Sequence, residues 1–233
     1  MKAIQIAQYG GPEVLVLGEA PRPEPGPGQV LIKVGAAGVN FAETLMREDR
    51  YVASYALPAI PGSEVAGTIE ALGSGVSGLA PGQRVGAVLA AAKTLTGGYA
   101  EYCVADAAVT VPLPDALPFD AACALLVQGL TALYLTREVC PAGRDVLVTA
   151  AGGGVGSLLL QLARHAGAAR VIAVASNPAK RALYLARRRS GGRLPGARGP
   201  GSDPDLRVRR GRGVRAVFRG ARAPRRARRL WRA

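Results

Sequence analysis

Histidine is almost missing from this chain: His165 is the only one in 233 residues. Cysteine is scarce too. Cys103, Cys123 and Cys140 make an odd number with no C-x-x-C spacing. One imidazole and three scattered thiols cannot build a tetrahedral zinc site or a closely spaced cysteine lobe, so no metal is expected. No Ser/His/Asp or Cys/His set stands out, which argues against hydrolysis by a nucleophile. The thiols read as small core residues of a protein in a reducing cytoplasm. No apolar run of about 18–20 residues free of charge and turn residues occurs, so no membrane span is expected. The opening MKAIQIAQYG has one Lys and no apolar core, so no signal peptide is expected.

Lysine is absent from the last 53 residues, where all 18 basic residues are Arg against 2 acids. Residues 1–180 carry 12 Lys+Arg and 14 Asp+Glu. The formal net charge of +14 therefore belongs to the tail alone. From about Arg187 the chain is Arg, Gly, Pro and Ala, with too few apolar residues to offset the entropy of ordering it. Three readings stand side by side. The tail is a nucleic-acid arm, since Arg neutralises phosphates and stacks on bases. Or it is a solvated, disordered extension. Or it is a GC-rich gene read in a shifted frame, which the loss of Lys favours.

The first 115 residues or so are rich in short strands between Gly- and Pro-containing turns, the pattern of a β-barrel-like domain. A hairpin is expected from Lys2–Gln8 and Val14–Leu17, then a proline-rich loop over Pro21–Pro27 that cannot join a ladder. Strands are expected at Gln29–Val34, Glu64–Leu72, Arg84–Ala90, Tyr99–Val104 and Ala108–Val111. A short helix is expected at Asn40–Arg47. From Leu117 the period lengthens. Phe119–Arg137 reads as a long apolar helix broken or kinked near Gly129. Asp145–Thr149 reads as a strand buried on both faces. Val155–Ala166 is an amphipathic helix, Ala169–Ala175 a second buried strand, and Ser176–Ala186 a further helix. The order β-α-β-α implies a parallel sheet. The domains expected are 1–115, then a partial dinucleotide-binding domain over 116–186, then a tail over 187–233.

The turn between the first strand and helix of that second part reads Ala151-Gly152-Gly153-Gly154-Val155-Gly156. It fits A-x-G-x-x-G. Gly153 would let the backbone approach a pyrophosphate, and Gly156 would let the helix pack against its strand. Phosphates would then sit at the helix N-terminus. At the end of the second strand stand Ser176, Asn177, Lys180 and Arg181, where an NAD site usually has a carboxylate. A hydroxyl, an amide and two cations suit the 2′-phosphate of NADPH instead.

Five segments in order carry a family resemblance: Ala36-Ala37-Gly38-Val39-Asn40-Phe41-Ala42-Glu43-Thr44, Leu57 to Gly67 (LPAIPGSEVAG), Gly97-Gly98-Tyr99-Ala100-Glu101-Tyr102, Gly129-Leu130-Thr131-Ala132, and the Ala150–Gly156 loop running into Gln161-Leu162-Ala163. Over residues 1 to about 185 the chain resembles the zinc-independent quinone oxidoreductases, the ζ-crystallin-like group of the medium-chain dehydrogenase/reductase superfamily. The resemblance implies an α/β protein: a GroES-like β-barrel domain followed by an incomplete Rossmann domain, with NADPH between them. It implies that Asn40 bonds near the nicotinamide and the substrate carbonyl, that Thr131 meets the nicotinamide end, and that Tyr51 lines the substrate pocket. It implies that Ser176 and Lys180 hold the 2′-phosphate. Zinc-dependent relatives have Cys and His near the positions of Asn40 and Ser63, so this branch needs no metal. The reaction implied is hydride transfer to a small-molecule quinone or α,β-unsaturated carbonyl. A family homodimer is implied as well, although the strands that form its edge have no counterpart in the tail. The rival reading is a nucleic-acid-binding protein that uses the Arg-rich tail on a degenerate Rossmann scaffold.

Overall fold

The computed structural model describes residues 1–89 and 96–175, and the backbone of 207–209. The chain divides into two compact units, Met1–Thr131 and Ala132–Ala233. The first unit thus runs past residue 115, because the helix at Phe119–Leu125 packs onto its sheet.

In the first unit β1 (Lys2–Gln5) and β2 (Val16–Glu19) form a two-stranded antiparallel ribbon, with Lys2 opposite Glu19. A five-stranded antiparallel sheet follows, in the order β6-β3-β4-β5-β7. Its strands are β3 (Gln29–Ala37), β4 (Glu64–Leu72), β5 (Arg84–Val88), β6 (Tyr102–Asp106) and β7 (Thr110–Pro112). Val30, Ile32, Val65, Ile69, Val85 and Ala87 fill its core, each at most 1% exposed. Alternation of side chains along each strand puts these residues on one face. Helix α1 (Phe41–Arg47) hangs from the end of β3. Helix α2 (Phe119–Leu125) lies across β3, β4 and β5, burying Ala122 and Cys123 against Ala66.

The expected helix break near Gly129 falls instead at Leu126, where ψ is −92°. Helix α3 (Val127–Val139) then runs through Gly129 without interruption. The cause is a long-range bond: Val127 N–H donates to the Glu64 carboxylate, 63 residues earlier in the chain. Phe119–Val139 taken together is apolar and long enough to cross a membrane by length and composition. It is not a run free of charge and turn residues, since it holds Asp120, Gly129, Arg137 and Glu138. The packing of α2 on the sheet, with Cys123 Sγ 3.2 Å from Ala36 O, gives its first half a place in the unit's own core.

The second unit has β8 (Asp145–Val148), α4 (Gly154–His165) and β9 (Arg170–Val174). Strands β8 and β9 run parallel, and Val148, Val171 and Ala173 pack under Leu160 and Ala163 of α4. Only one face of β8 is covered in this way. Leu147 is 48% exposed, so this strand is not buried on both faces as its apolar run suggested. The tail was expected to lack structure, yet the backbone of Arg207–Arg209 forms β10 and pairs in parallel with β9. An edge strand offers unpaired N–H and C=O groups, and three residues suffice to use them. The sheet order is β10-β9-β8. The expected helix over Ser176–Ala186 and the rest of the tail lie outside the described residues.

Candidate active site

Asn40 ends the β3 loop as the N-cap of α1, and it is 8% exposed. Its backbone N–H donates to Glu43 Oε2 at 2.8 Å, the reciprocal half of a capping box. Its side-chain Nδ2 donates to Glu64 Oε1 at 2.8 Å, and its Oδ1 accepts from Gln128 Nε2 at 3.4 Å. An amide has two N–H bonds and an oxygen with two lone pairs. Glu64 takes one N–H, and Gln128 and the Glu43 N–H of the capping box take the oxygen's lone pairs, so one donor direction remains.

Two buried carboxylates hold this corner. Glu43 receives Ser63 N–H at 2.8 Å and Ser63 Oγ–H at 2.5 Å on one oxygen, and Asn40 N–H and the Tyr99 hydroxyl on the other. Glu64 is 1% exposed and receives Asn40 on one oxygen and Val127 N–H, at 2.7 Å, on the other. Gly62, at φ 104°, makes the approach to Tyr99 possible: a Cβ there would lie 2.6 Å from the Tyr99 ring and 2.7 Å from its backbone nitrogen. Gly38 likewise leaves room for Glu64, whose Oε1 would sit 2.1 Å from a Cβ.

Burial pushes the Glu64 carboxyl above the ordinary carboxylate range, against the pull of its Val127 and Asn40 donors. Burial and then Glu43 push the Tyr99 and Tyr55 hydroxyls up as well. Burial alone holds the Cys103 thiol at about 12. Ionising Glu64 therefore costs more in the folded than in the unfolded chain, although its two donors favour the carboxylate. Its contribution to stability is full below the ordinary value of about 4.3 and is lost as pH rises through the raised value. In urea unfolding, the stability of the parent relative to Glu64→Gln should therefore fall as pH rises above about 4; a difference that does not change with pH would refute this.

Tyr51 lies in the bend after α1 and is 44% exposed. Thr131 is exposed on α3, and its Oγ1 donates to Val127 O at 2.6 Å. Thus Asn40 and Thr131 both trace to Glu64, one directly and one through Val127. Neither Glu43, Glu64 nor Gln128 was picked out as a site residue from sequence. Glu43 was readable, since it stands three residues after an Asn N-cap. The other two join only through the fold.

In the second unit the turn begins with Ala150 at φ 47°, the left-handed region that a non-glycine residue enters at a cost. Ala151 is fully buried in the core under α4, and its N–H donates to Val174 O at 3.0 Å. Ala151 is therefore held by strand and core contacts. Gly153 is the N-cap of α4. Gly154, Val155 and Gly156 make the first turn, whose N–H groups have no acceptor inside the helix. A Cβ on Gly156 would lie 2.4 Å from Ala150 O and 2.8 Å from Ala151 Cα, so helix–strand packing demands glycine there. A Cβ on Gly153 would meet only Ala150 O, at 3.4 Å. Packing within the protein does not require glycine at 153, whereas an approaching pyrophosphate would. The residues fit a dinucleotide on this observation. Ser176, Asn177 and Lys180 lie outside the described residues. Among the described residues no group of three or more His, Cys, Asp or Glu is placed to hold a metal ion.

Residues 26–115 match the alcohol dehydrogenase GroES-like domain. The quinone oxidoreductase of Rattus norvegicus is 42% identical over 189 residues, which cover 79% of this chain and 56% of that protein. The chain belongs to the quinone oxidoreductase branch of the medium-chain dehydrogenase/reductase superfamily. Among solved structures, a mycobacterial protein complexed with NADPH is 41% identical, with a TM-score of 0.71 over 80% of this chain and 56% of that one. The Escherichia coli quinone oxidoreductase complexed with NADPH is 31% identical, with a TM-score of 0.73 over 80% and 56%. This quinone oxidoreductase homologue thus spans about half the length of the relatives it matches.

Proposed function

We propose that the chain binds NADPH and serves hydride transfer to a quinone or an α,β-unsaturated carbonyl. The observation that carries this is Gly153, an exposed glycine at a helix N-terminus that no protein contact explains. Bound NADPH would supply the hydride, and the protein supplies position and electrostatics. Gly153, Gly154, Val155 and Gly156 are the residues that would hold the pyrophosphate, with Ser176, Asn177 and Lys180 on the 2′-phosphate. Asn40 offers one N–H in a fixed direction. It can orient a carboxamide, or, like Tyr51 or a water, donate to the oxyanion that develops on the acceptor. Thr131 carries a hydroxyl on α3, one turn after Val127. Three free cysteines, two of them buried, suit a reducing compartment.

The Arg-rich segment plays no part in this chemistry; we read it as a shifted frame. Nothing in the relatives points to nucleic acid, and the likeness stops at four-fifths of the chain. The other two reading frames downstream of Lys180 should contain further strand–helix units of the family; their absence would refute the frame reading. For the function, full chain mixed with NADPH and 1,4-benzoquinone should consume NADPH faster than the uncatalysed mixture. A rate equal to that of the mixture alone would overturn the proposal.

A further inference from the structure

We infer that Glu64 is a positioning residue that sets Asn40 and Thr131 in register with each other, and so orders the nicotinamide end of the cofactor; this rests on the NADPH reading above. The side chain is 1% exposed, so its carboxylate acts through its protein partners. It accepts Asn40 Nδ2–H at 2.8 Å on one oxygen and Val127 N–H at 2.7 Å on the other. Val127 opens α3, and one turn later Thr131 Oγ1–H returns to Val127 O at 2.6 Å. Gln128, the next residue of α3, donates back to Asn40 Oδ1. The chain of bonds closes a ring from Asn40 to Glu64 to α3 and back to Asn40.

Only a carboxylate can fill this place. Both incoming groups are donors, and an ionised carboxylate accepts at both oxygens. Glutamine has one acceptor and one NH2. With its oxygen toward Asn40, the Val127 N–H faces a second donor. With its oxygen toward Val127, the Asn40 amide must turn over, which exchanges the directions of its donor and acceptor. Either way, one of the two residues that meet the nicotinamide loses its setting. The same ring explains why the helix breaks at Leu126, since the bond at Val127 starts α3 afresh.

The test compares two ligands that share the adenosine half. NADPH and 2′,5′-ADP are titrated into the full chain and into Glu64→Gln. The expected result is NADPH affinity at least tenfold weaker in Glu64→Gln, with 2′,5′-ADP affinity within twofold of the parent. Unchanged NADPH affinity, or equal loss of both ligands, would overturn the inference while leaving the NADPH reading in place. A parent chain that binds neither ligand sinks the NADPH reading itself, and the positioning role with it. Amide hydrogen exchange on cofactor-free chain separates grip from general loosening. In Glu64→Ala, Val127 should exchange at least tenfold faster while Leu130 N–H, bonded to Leu126 O, stays within threefold. Equal acceleration of both amides, or of neither, counts against the ring.

Discussion

Gly156→Ala should unfold the second unit, whereas Gly153→Ala should leave it folded with NADPH binding weakened at least tenfold. The added methyl is the same; the surroundings differ. At 156 it meets Ala150 O at 2.4 Å and Ala151 Cα at 2.8 Å, both backbone atoms fixed by the strand on which α4 packs. No side chain can swing away to make room. Overpacking of this kind costs about 3 kcal/mol. At 153 the methyl finds ordinary van der Waals space within the protein. It would fill the ground that a pyrophosphate needs, with an affinity loss of at least tenfold, about 1.4 kcal/mol. Thermal unfolding by circular dichroism and NADPH fluorescence read the two effects separately. Equal stability loss in the two variants, or normal NADPH binding by Gly153→Ala, would contradict this division of roles.

Glu43→Gln is expected to destabilise the first unit by about 2–4 kcal/mol, although it changes one atom. Each Glu43 oxygen faces a backbone N–H that cannot rotate, Ser63 on one side and Asn40 on the other. Hydroxyl protons on Ser63 and Tyr99 could turn to new acceptors, but the backbone donors cannot. One of them is left buried against an NH2 group, at a cost of about 1–3 kcal/mol, and a charge-assisted bond is lost besides. Because Glu43 ties the G-S-E turn to α1, the loss falls on the scaffold of Asn40. Urea unfolding of parent and variant at neutral pH measures it. A difference below about 0.5 kcal/mol would show that the network relaxes at little cost.

Much of this was legible in the chain itself. Alternation exposed the barrel strands, and the Gly turn between an apolar strand and an amphipathic helix marked the start of α4. The loop's two informative glycines looked alike in sequence; only the clash distances at 156 and the open space at 153 separate their roles. The break at Leu126 was misplaced to Gly129, since glycine is the local signal for a helix end while the actual cause is a carboxylate 63 residues away. The strand at Asp145 read as buried on both faces from its apolar run. Hydropathy reports what could be covered, and Leu147 shows what α4 leaves bare. Tyr99 and Ser63 stood inside motifs that carried the resemblance, but their shared bond to Glu43 depends on how β4 and the Gly97–Tyr99 turn come together. A three-residue strand in an Arg-rich tail has no apolar signature at all, so β10 could be found only beside its partner β9.

The central claim is that this chain is built around an NADPH site. Titration of the full chain with NADPH and, separately, with NADH, followed by the change in nicotinamide fluorescence, tests it most directly. The account predicts saturable one-site binding of NADPH and at least tenfold weaker binding of NADH. Binding of neither nucleotide, or a preference for NADH, would contradict it.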